Sequence, residues 1–362
     1  MTVLQGAAAE PAGAAALRRQ VTTVLDGFLE HKATAAAKLR MPTEVTECLR
    51  DFLAVGGKRL RPLLCVTGWQ AAGGHCTPET LIQTAASLEM FHTFCLIHDD
   101  VMDDSGSRRG APTIRRRLAQ HHSHGRSAAS AEQVGASGAI LIGDLALTWS
   151  HELLHTAGLT RAQLGAVLPL IDDMRSEVMY GQYLDVTSAG RSTTDVEQAL
   201  RIARYKTAKY TVERPLHIGA ALAGAPLGVR EALSAYALPV GEAFQLRDDL
   251  LGIFGTPQVT GKPSLDDLRE GKHTALIALT FQQASRTQAG HLRHLLGCPT
   301  LTEDQAEAAR HIITATGAHH TVEQMITARH KQALTALDHA SFPATAKAAL
   351  RHIAHAATTR TT

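Results

Sequence analysis

The chain has 362 residues, of which 44% are hydrophobic, 4% aromatic and 19% charged, ample apolar material for a large core. Its 36 Lys and Arg against 34 Asp and Glu leave a formal charge of +2, which excludes a global basic field of the kind that gathers nucleic acid. The longest apolar stretches, 138–147 and 220–229, are too short or too interrupted, by Asp144 and Pro226, to cross a bilayer as a helix, so no membrane span is expected.

Residues 1–17 carry no basic leader and hold Glu10 and Pro11 inside an Ala/Gly-rich run, so they read as a loose N-terminal arm rather than a secretory signal. From there apolar residues recur at helical spacing, through 81–97, through Leu164, Val167, Leu168, Ile171, Met174 and Val178, and through 232–254. No segment alternates convincingly as a strand. The expectation is an all-α fold, one large helical domain over 18–354, with residues 355–362 as a frayed tail. Breaks fall at Gly56-Gly57, Gly73-Gly74, Gly110–Pro112, 188–193, 223–229, 255–272 and 286–300, with no long linker and no internal repeat. Cys48, Cys65, Cys76, Cys95 and Cys298 show no CxxC or finger spacing and read as reduced thiols of a cytoplasmic protein.

The densest chemical signal is His98-Asp99-Asp100-Val101-Met102-Asp103-Asp104, which directly continues an apolar helix. On a helix Asp99 and Asp103 are i,i+4 neighbours and Asp100 and Asp103 are i,i+3, so the carboxylates converge on one side. Like charges packed there cost free energy unless a cation sits between them, and magnesium suits oxygen ligands on adjacent turns. A solvated acidic helix end is the plainer alternative. A second pair, Asp248 and Asp249, again interrupts an apolar helical run, which suggests two facing walls of one metal-filled cavity. Basic residues stand between and around them: Lys58, Arg59 and Arg61, Arg108 and Arg109, Lys206, Lys262 and Lys272. Guanidinium forks and ammonium groups bind phosphate oxygens, so acids for magnesium beside separate cations are what two diphosphates in one pocket require.

The ordered motifs GGKRLRP at 56–62, His92, HDDVMD at 98–103, RRG at 108–110, GQYLD at 181–185, KT at 206–207, FQLRDD at 244–249 and GKP followed by Lys272 resemble the trans-isoprenyl diphosphate synthases, the polyprenyl synthetase family, over roughly residues 20–350. The resemblance implies a helical bundle with a central active-site cavity, a homodimer, and head-to-tail condensation of isopentenyl diphosphate with an allylic diphosphate. It implies that Asp99, Asp100, Asp103, Asp248 and Asp249 hold a cluster of up to three magnesium ions. By the same resemblance Lys58, Arg61, His92 and Arg109 hold the diphosphate of isopentenyl diphosphate, and Arg108, Lys206, Lys262 and Lys272 the allylic one. Lys206, the Thr207 carbonyl and Gln245 resemble the groups that line the developing cation, and Gln182 and Asp185 match polar positions facing the cavity. The second motif departs from the fuller DDxxD, with Gly252 at its third aspartate. Metal binding is expected to survive that departure, and Gly252→Asp to change the rate only modestly.

In this family the growing chain runs beneath the first acidic motif, and bulky residues just before it form the floor. Phe94, five residues before Asp99, is followed by the small Cys95, with Phe91 a turn further down. That arrangement resembles synthases that stop at geranylgeranyl diphosphate; alternatively both rings are ordinary core. Competing readings are transfer to another acceptor, a class I terpene cyclase, or a non-catalytic subunit, and the retained second basic set speaks against them. The HExxH run at 151–155 is expected to be a chance match among 20 histidines rather than a zinc protease helix. The segment 172–176 begins like a cyclase metal motif but has Tyr180 in place of Glu, and 255–262 lacks the spacing of a phosphate-binding loop. His121, His122 and His124 read as a solvated loop, with adventitious metal binding as the lesser alternative.

Overall fold

Helix follows helix along the residues that the computed structural model describes, 13–74, 78–191, 193–255 and 265–359. α1 (Ala14–Lys38), α2 (Glu44–Ala54), α3 (Leu60–Ala71) and α4 (Glu79–Met102) precede a small hairpin, β1 (Ser107–Arg108) and β2 (Ala111–Pro112). α5 (Ile114–His121), α6 (Ala128–His155), α7 (Arg161–Ser188) and α8 (Val196–Ile202) lead into a π-helix, Ala203–Glu213, which continues as α9 (Arg214–Leu222). The second half comprises α10 (Leu227–Phe254), α11 (Asp266–Glu270), α12 (Ala275–Gln283), α13 (Arg286–Leu295), α14 (Glu303–Ala315), α15 (Ala318–His339) and α16 (Ala344–Thr358). The all-α expectation holds, with the hairpin as the one sheet among the described residues.

α4 is the central element. It is apolar on every side, with Leu81, Ile82, Leu88, Met90, Phe91, Phe94 and Ile97 all buried, as befits a helix with neighbours all round. α1, α3 and α6 pack on it, and its polar last turn is therefore carried into the interior. α10 packs on the π-helix and α15, and α7 packs on the π-helix from another side. Two glycines permit those crossings: a Cβ on Gly181 of α7 would lie 2.4 Å from the Lys206 backbone nitrogen, and one on Gly241 of α10 the same distance from Ala208 Cα. Any side chain at either position would push the π-helix away.

Three boundaries differ from expectation. Residues 14–17 belong to α1 rather than to an arm, because Ala14 and Leu17 are buried. At the other end helix persists to Thr358, where Ala357 and Thr358 are buried and Arg247 Nε donates to the Thr358 carbonyl at 3.0 Å. The break expected over 286–300 holds α13, which begins at a capping box formed by Ser285 and Gln288.

Candidate active site

α4 ends on the acidic motif. Asp99 and Asp100 lie in its last turn and Asp103 caps it, so three carboxylates gather where the helix dipole already presents negative charge. Cations close on them from three elements. In the hairpin, the turn residues Arg109 and Gly110 have φ of 54° and 77°, the conformation of a tight two-residue turn, and this aims Arg108 back at α4. Arg108 Nε donates to both oxygens of Asp100 at 2.8 and 2.9 Å, and its Nη2 to Asp99 at 3.1 Å. Lys206 of the π-helix bridges Asp99 at 3.2 Å and Asp185 of α7 at 2.5 Å, while Gln182 of α7 donates to Asp99 at 3.2 Å. Lys272, just past α11, stands 3.4 Å from Asp103, 3.6 Å from Asp267 and 2.7 Å from Glu270. Burial works against both lysine charges, but the carboxylates outweigh it and hold both ammonium groups above the ordinary lysine pKa. Burial also raises Asp103 and pushes Glu270 up to about 7.

On α10, Asp249 is buried beside the half-buried Asp248. Asp249 accepts from Gln245 Nε2 at 2.8 Å, and Gln245 Oε1 accepts from Thr207 Oγ1 at 2.5 Å. Burial, with Asp267, Asp248 and Asp185 close by, pushes Asp249 up to about 8. Asp185, which holds Lys206, therefore links the field of the second acidic pair to that of the first. A Cβ on Gly252 would fall 1.7 Å from Asp267 Oδ2, so the carboxylate of Asp267 already fills the space a third aspartate would enter. Gly252→Asp would therefore have to swing the Asp267 side chain aside, a contact that the expectation of a modest rate change did not include. Asp267 escaped the sequence reading; its only signal was the run Asp266, Asp267, Glu270 ahead of Lys272.

The second basic set also comes together. Buried Arg61 stacks 4.1 Å from the centroid of Tyr210 and donates to Thr211 Oγ1 at 2.6 Å, and His92 Nδ1 lies 2.6 Å from the Tyr210 hydroxyl. The Arg109 guanidinium donates to the Gly56 carbonyl, next to exposed Lys58. Burial, and then the charges of Arg61, Arg109, Arg108 and Arg59, hold His92 well below the ordinary histidine value, so its imidazole is neutral. Burial and the same neighbours lower Arg109. Glu89 is the carboxylate that acts against this gathering of like charges. Tyr210, which joins Arg61 to His92, was not foreseen. Arg59 turns away into a buried pair with Glu89 at 2.6 Å. Lys262 lies outside the described residues, as does most of 255–262.

Phe91 and Phe94 are buried with ring centroids 5.5 Å apart, and the Arg175 guanidinium lies 5.5 Å from the Phe91 centroid. Burial pushes the Cys95 thiol up to about 12. In the HExxH run, the Glu152 carboxylate is taken by Lys32 at 2.5 and 2.7 Å. His121 and His122 end α5 instead of lying in a loop.

The profile of the family described as polyprenyl synthetase matches residues 42–313. The chain belongs to the polyprenyl synthetase family. Within it, a solved structure described as geranylgeranyl pyrophosphate synthase from Corynebacterium glutamicum, complexed with isoprenyl diphosphate and magnesium, superposes with a TM-score of 0.91 at 39% identity, covering 95% of this chain and 98% of that one. A (2E,6E)-farnesyl diphosphate synthase of Mycobacterium tuberculosis is 33% identical over 302 residues, 83% of this chain and 78% of that enzyme. A geranylfarnesyl diphosphate synthase of Aeropyrum pernix is 32% identical over 280 residues, 76% of this chain and 81% of that enzyme. This polyprenyl synthetase is a trans-prenyltransferase that elongates prenyl chains. No helix among the described residues is long and apolar enough to cross a membrane.

Proposed function

We propose that the chain condenses isopentenyl diphosphate with an allylic diphosphate and stops mainly at geranylgeranyl diphosphate. The observation that carries this reading is the pairing of two charge systems: the acids of α4 and α10 linked through Lys206 and Asp185, and the nest of Arg61, His92 and Arg109.

Magnesium fits the acidic side, because the donors are all carboxylate oxygens and burial among like charges already drives Asp249 to about 8. Asp99, Asp100, Asp103, Asp248 and Asp249 would hold up to three ions, with the Asp267 carboxylate beside them. When bound, magnesium supplies positive charge opposite the negative charge that grows on the departing diphosphate. Arg108, Lys206, Lys262 and Lys272 take the allylic diphosphate oxygens, exchanging the carboxylate partners that Arg108, Lys206 and Lys272 hold here. Lys58, Arg61 and Arg109 bind the diphosphate of isopentenyl diphosphate, to which neutral His92 adds a hydrogen bond rather than charge. The allylic carbon–oxygen bond breaks; the Thr207 carbonyl and Gln245 face the cation, and apolar helix walls keep water from quenching it. The double bond of isopentenyl diphosphate attacks that carbon, a carbon–carbon bond forms, and the proton lost is taken by the released diphosphate.

Product length is assigned to Phe94 and Phe91, one to two turns before the acidic motif on the same helix with their rings 5.5 Å apart, and the charged Arg175 beside Phe91 is a poor neighbour for a growing alkyl chain. The enzyme acts as a homodimer in the cytoplasm; exposed Ile140 and Leu141 on α6 offer apolar surface to a second copy, and the four described cysteines are free thiols. Asp103→Ala tests the site: turnover is expected to fall by at least about a hundredfold with helicity and melting unchanged. Near-normal turnover would refute the assignment.

A further inference from the structure

Outside both charge systems, two helix ends bring three ligand-bearing side chains together. Glu44 opens α2, His121 closes α5 and His122 caps it. Further along, Asp51 of α2 pairs with Arg117 of α5, so the two helices run in opposite directions with Glu44 against the histidines. His122 Nε2 lies 3.2 Å from Glu44 Oε2, His121 Nε2 lies 3.7 Å from Oε1, and ligand atoms of all three fall within 4.8 Å of one another. The two imidazole planes stand at 89°, so their nitrogens converge without the rings stacking. Glu44 Oε1 is buried with no hydrogen-bond partner.

These spacings resemble a tetrahedral metal shell, in which donors about 2.1 Å from the ion lie roughly 3.4 Å from one another. Two imidazoles and one carboxylate select zinc and similar borderline divalent ions; magnesium, which prefers oxygen donors and retains water, is poorly served. We infer that Glu44, His121 and His122 form a zinc-class metal site, with three protein ligands and a fourth position open to water. An ion there satisfies the orphaned Oε1 and pins the start of α2 to the end of α5. α2 runs on toward Gly56, whose carbonyl takes Arg109, and α5 follows the hairpin that carries Arg108 and Arg109, so the ion braces the frame of the basic nest from outside it.

The test is a calorimetric titration of Zn2+ into the full chain at about pH 7.5 with millimolar Mg2+ present, so that magnesium competes for the acidic motifs. The His121→Gln/His122→Gln variant and the Asp99→Asn/Asp103→Asn variant are titrated alongside. One Zn2+ per chain is expected, held at least about 30-fold more weakly by the histidine variant and within about threefold of wild type by the aspartate variant. Co2+ in place of Zn2+ is expected to give visible bands of a tetrahedral site that the histidine variant lacks. Equal zinc affinity in wild type and the histidine variant, loss in the aspartate variant instead, or no zinc binding at all would overturn the proposal. Glutamine keeps the bulk and polarity of these surface side chains, and unchanged metal-free melting and magnesium-supported turnover separate a lost ligand from a lost fold.

Discussion

Gly252 leaves room for a carboxylate that arrives from another part of the chain. Because Asp267 Oδ2 already sits where a Cβ would fall, Gly252→Asp swings the Asp267 side chain aside and sets a second carboxylate close to it. Turnover and magnesium affinity are expected to drop about 10- to 100-fold, the usual cost of disturbing groups around metal ligands. Gly252→Asp/Asp267→Gly should recover much of the loss, and failure to recover would show that Asp267 does not stand in for the missing side chain. At the floor, Phe94→Ala opens space above Phe91 and is expected to shift products beyond twenty carbons; an unchanged distribution by mass would return Phe94 to the plain core. The acidic and basic motifs were readable as residues because charge on an apolar helix needs a partner. Asp267 and Tyr210 were not, since their places depend on which helices cross, and spacing along one strand of sequence does not report that.

Helices were legible where their ends were signalled. Thr160 and Gln163 of α7, Ser285 and Gln288 of α13, and Thr302 and Gln305 of α14 form capping boxes, and overlooking the second of these turned α13 into an expected break. The π-helix was not legible, because no spacing of apolar residues in 203–213 distinguishes its wider turns from those of an α-helix. Gly181→Ala tests the contact of the π-helix with α7: its Cβ meets backbone, so a loss of about 1–3 kcal/mol is expected, with turnover reduced beyond the stability change because Lys206 moves. Gly165→Ala on the same helix meets nothing within 4 Å and should stabilise by about 0.5–1 kcal/mol. Equal melting temperatures for the two variants would contradict the close crossing.

At the scale of the molecule, near-neutral net charge conceals strong local fields, and those fields set the response to pH. Burial holds His217 below the ordinary histidine value, so the folded chain refuses a proton that the unfolded chain accepts as pH falls below about 6.5. The contribution costs nothing above that pH and destabilises below it. Asp249 and Glu270, pushed up by burial, act in the opposite sense in the metal-free chain, so the informative quantity is a difference between variants. The melting temperature of wild type relative to His217→Gln is expected to decline between about pH 6.5 and 5, and a constant difference would refute the sign.

The central claim is chain elongation to twenty carbons, and it is tested most directly by incubating the purified protein with magnesium, isopentenyl diphosphate and dimethylallyl, geranyl or farnesyl diphosphate in turn, then weighing the dephosphorylated products. A dominant twenty-carbon alcohol from at least one primer is the expected result. A dominant fifteen- or twenty-five-carbon product would contradict the Phe94 floor while leaving the chemistry, and no elongation from any primer would contradict both.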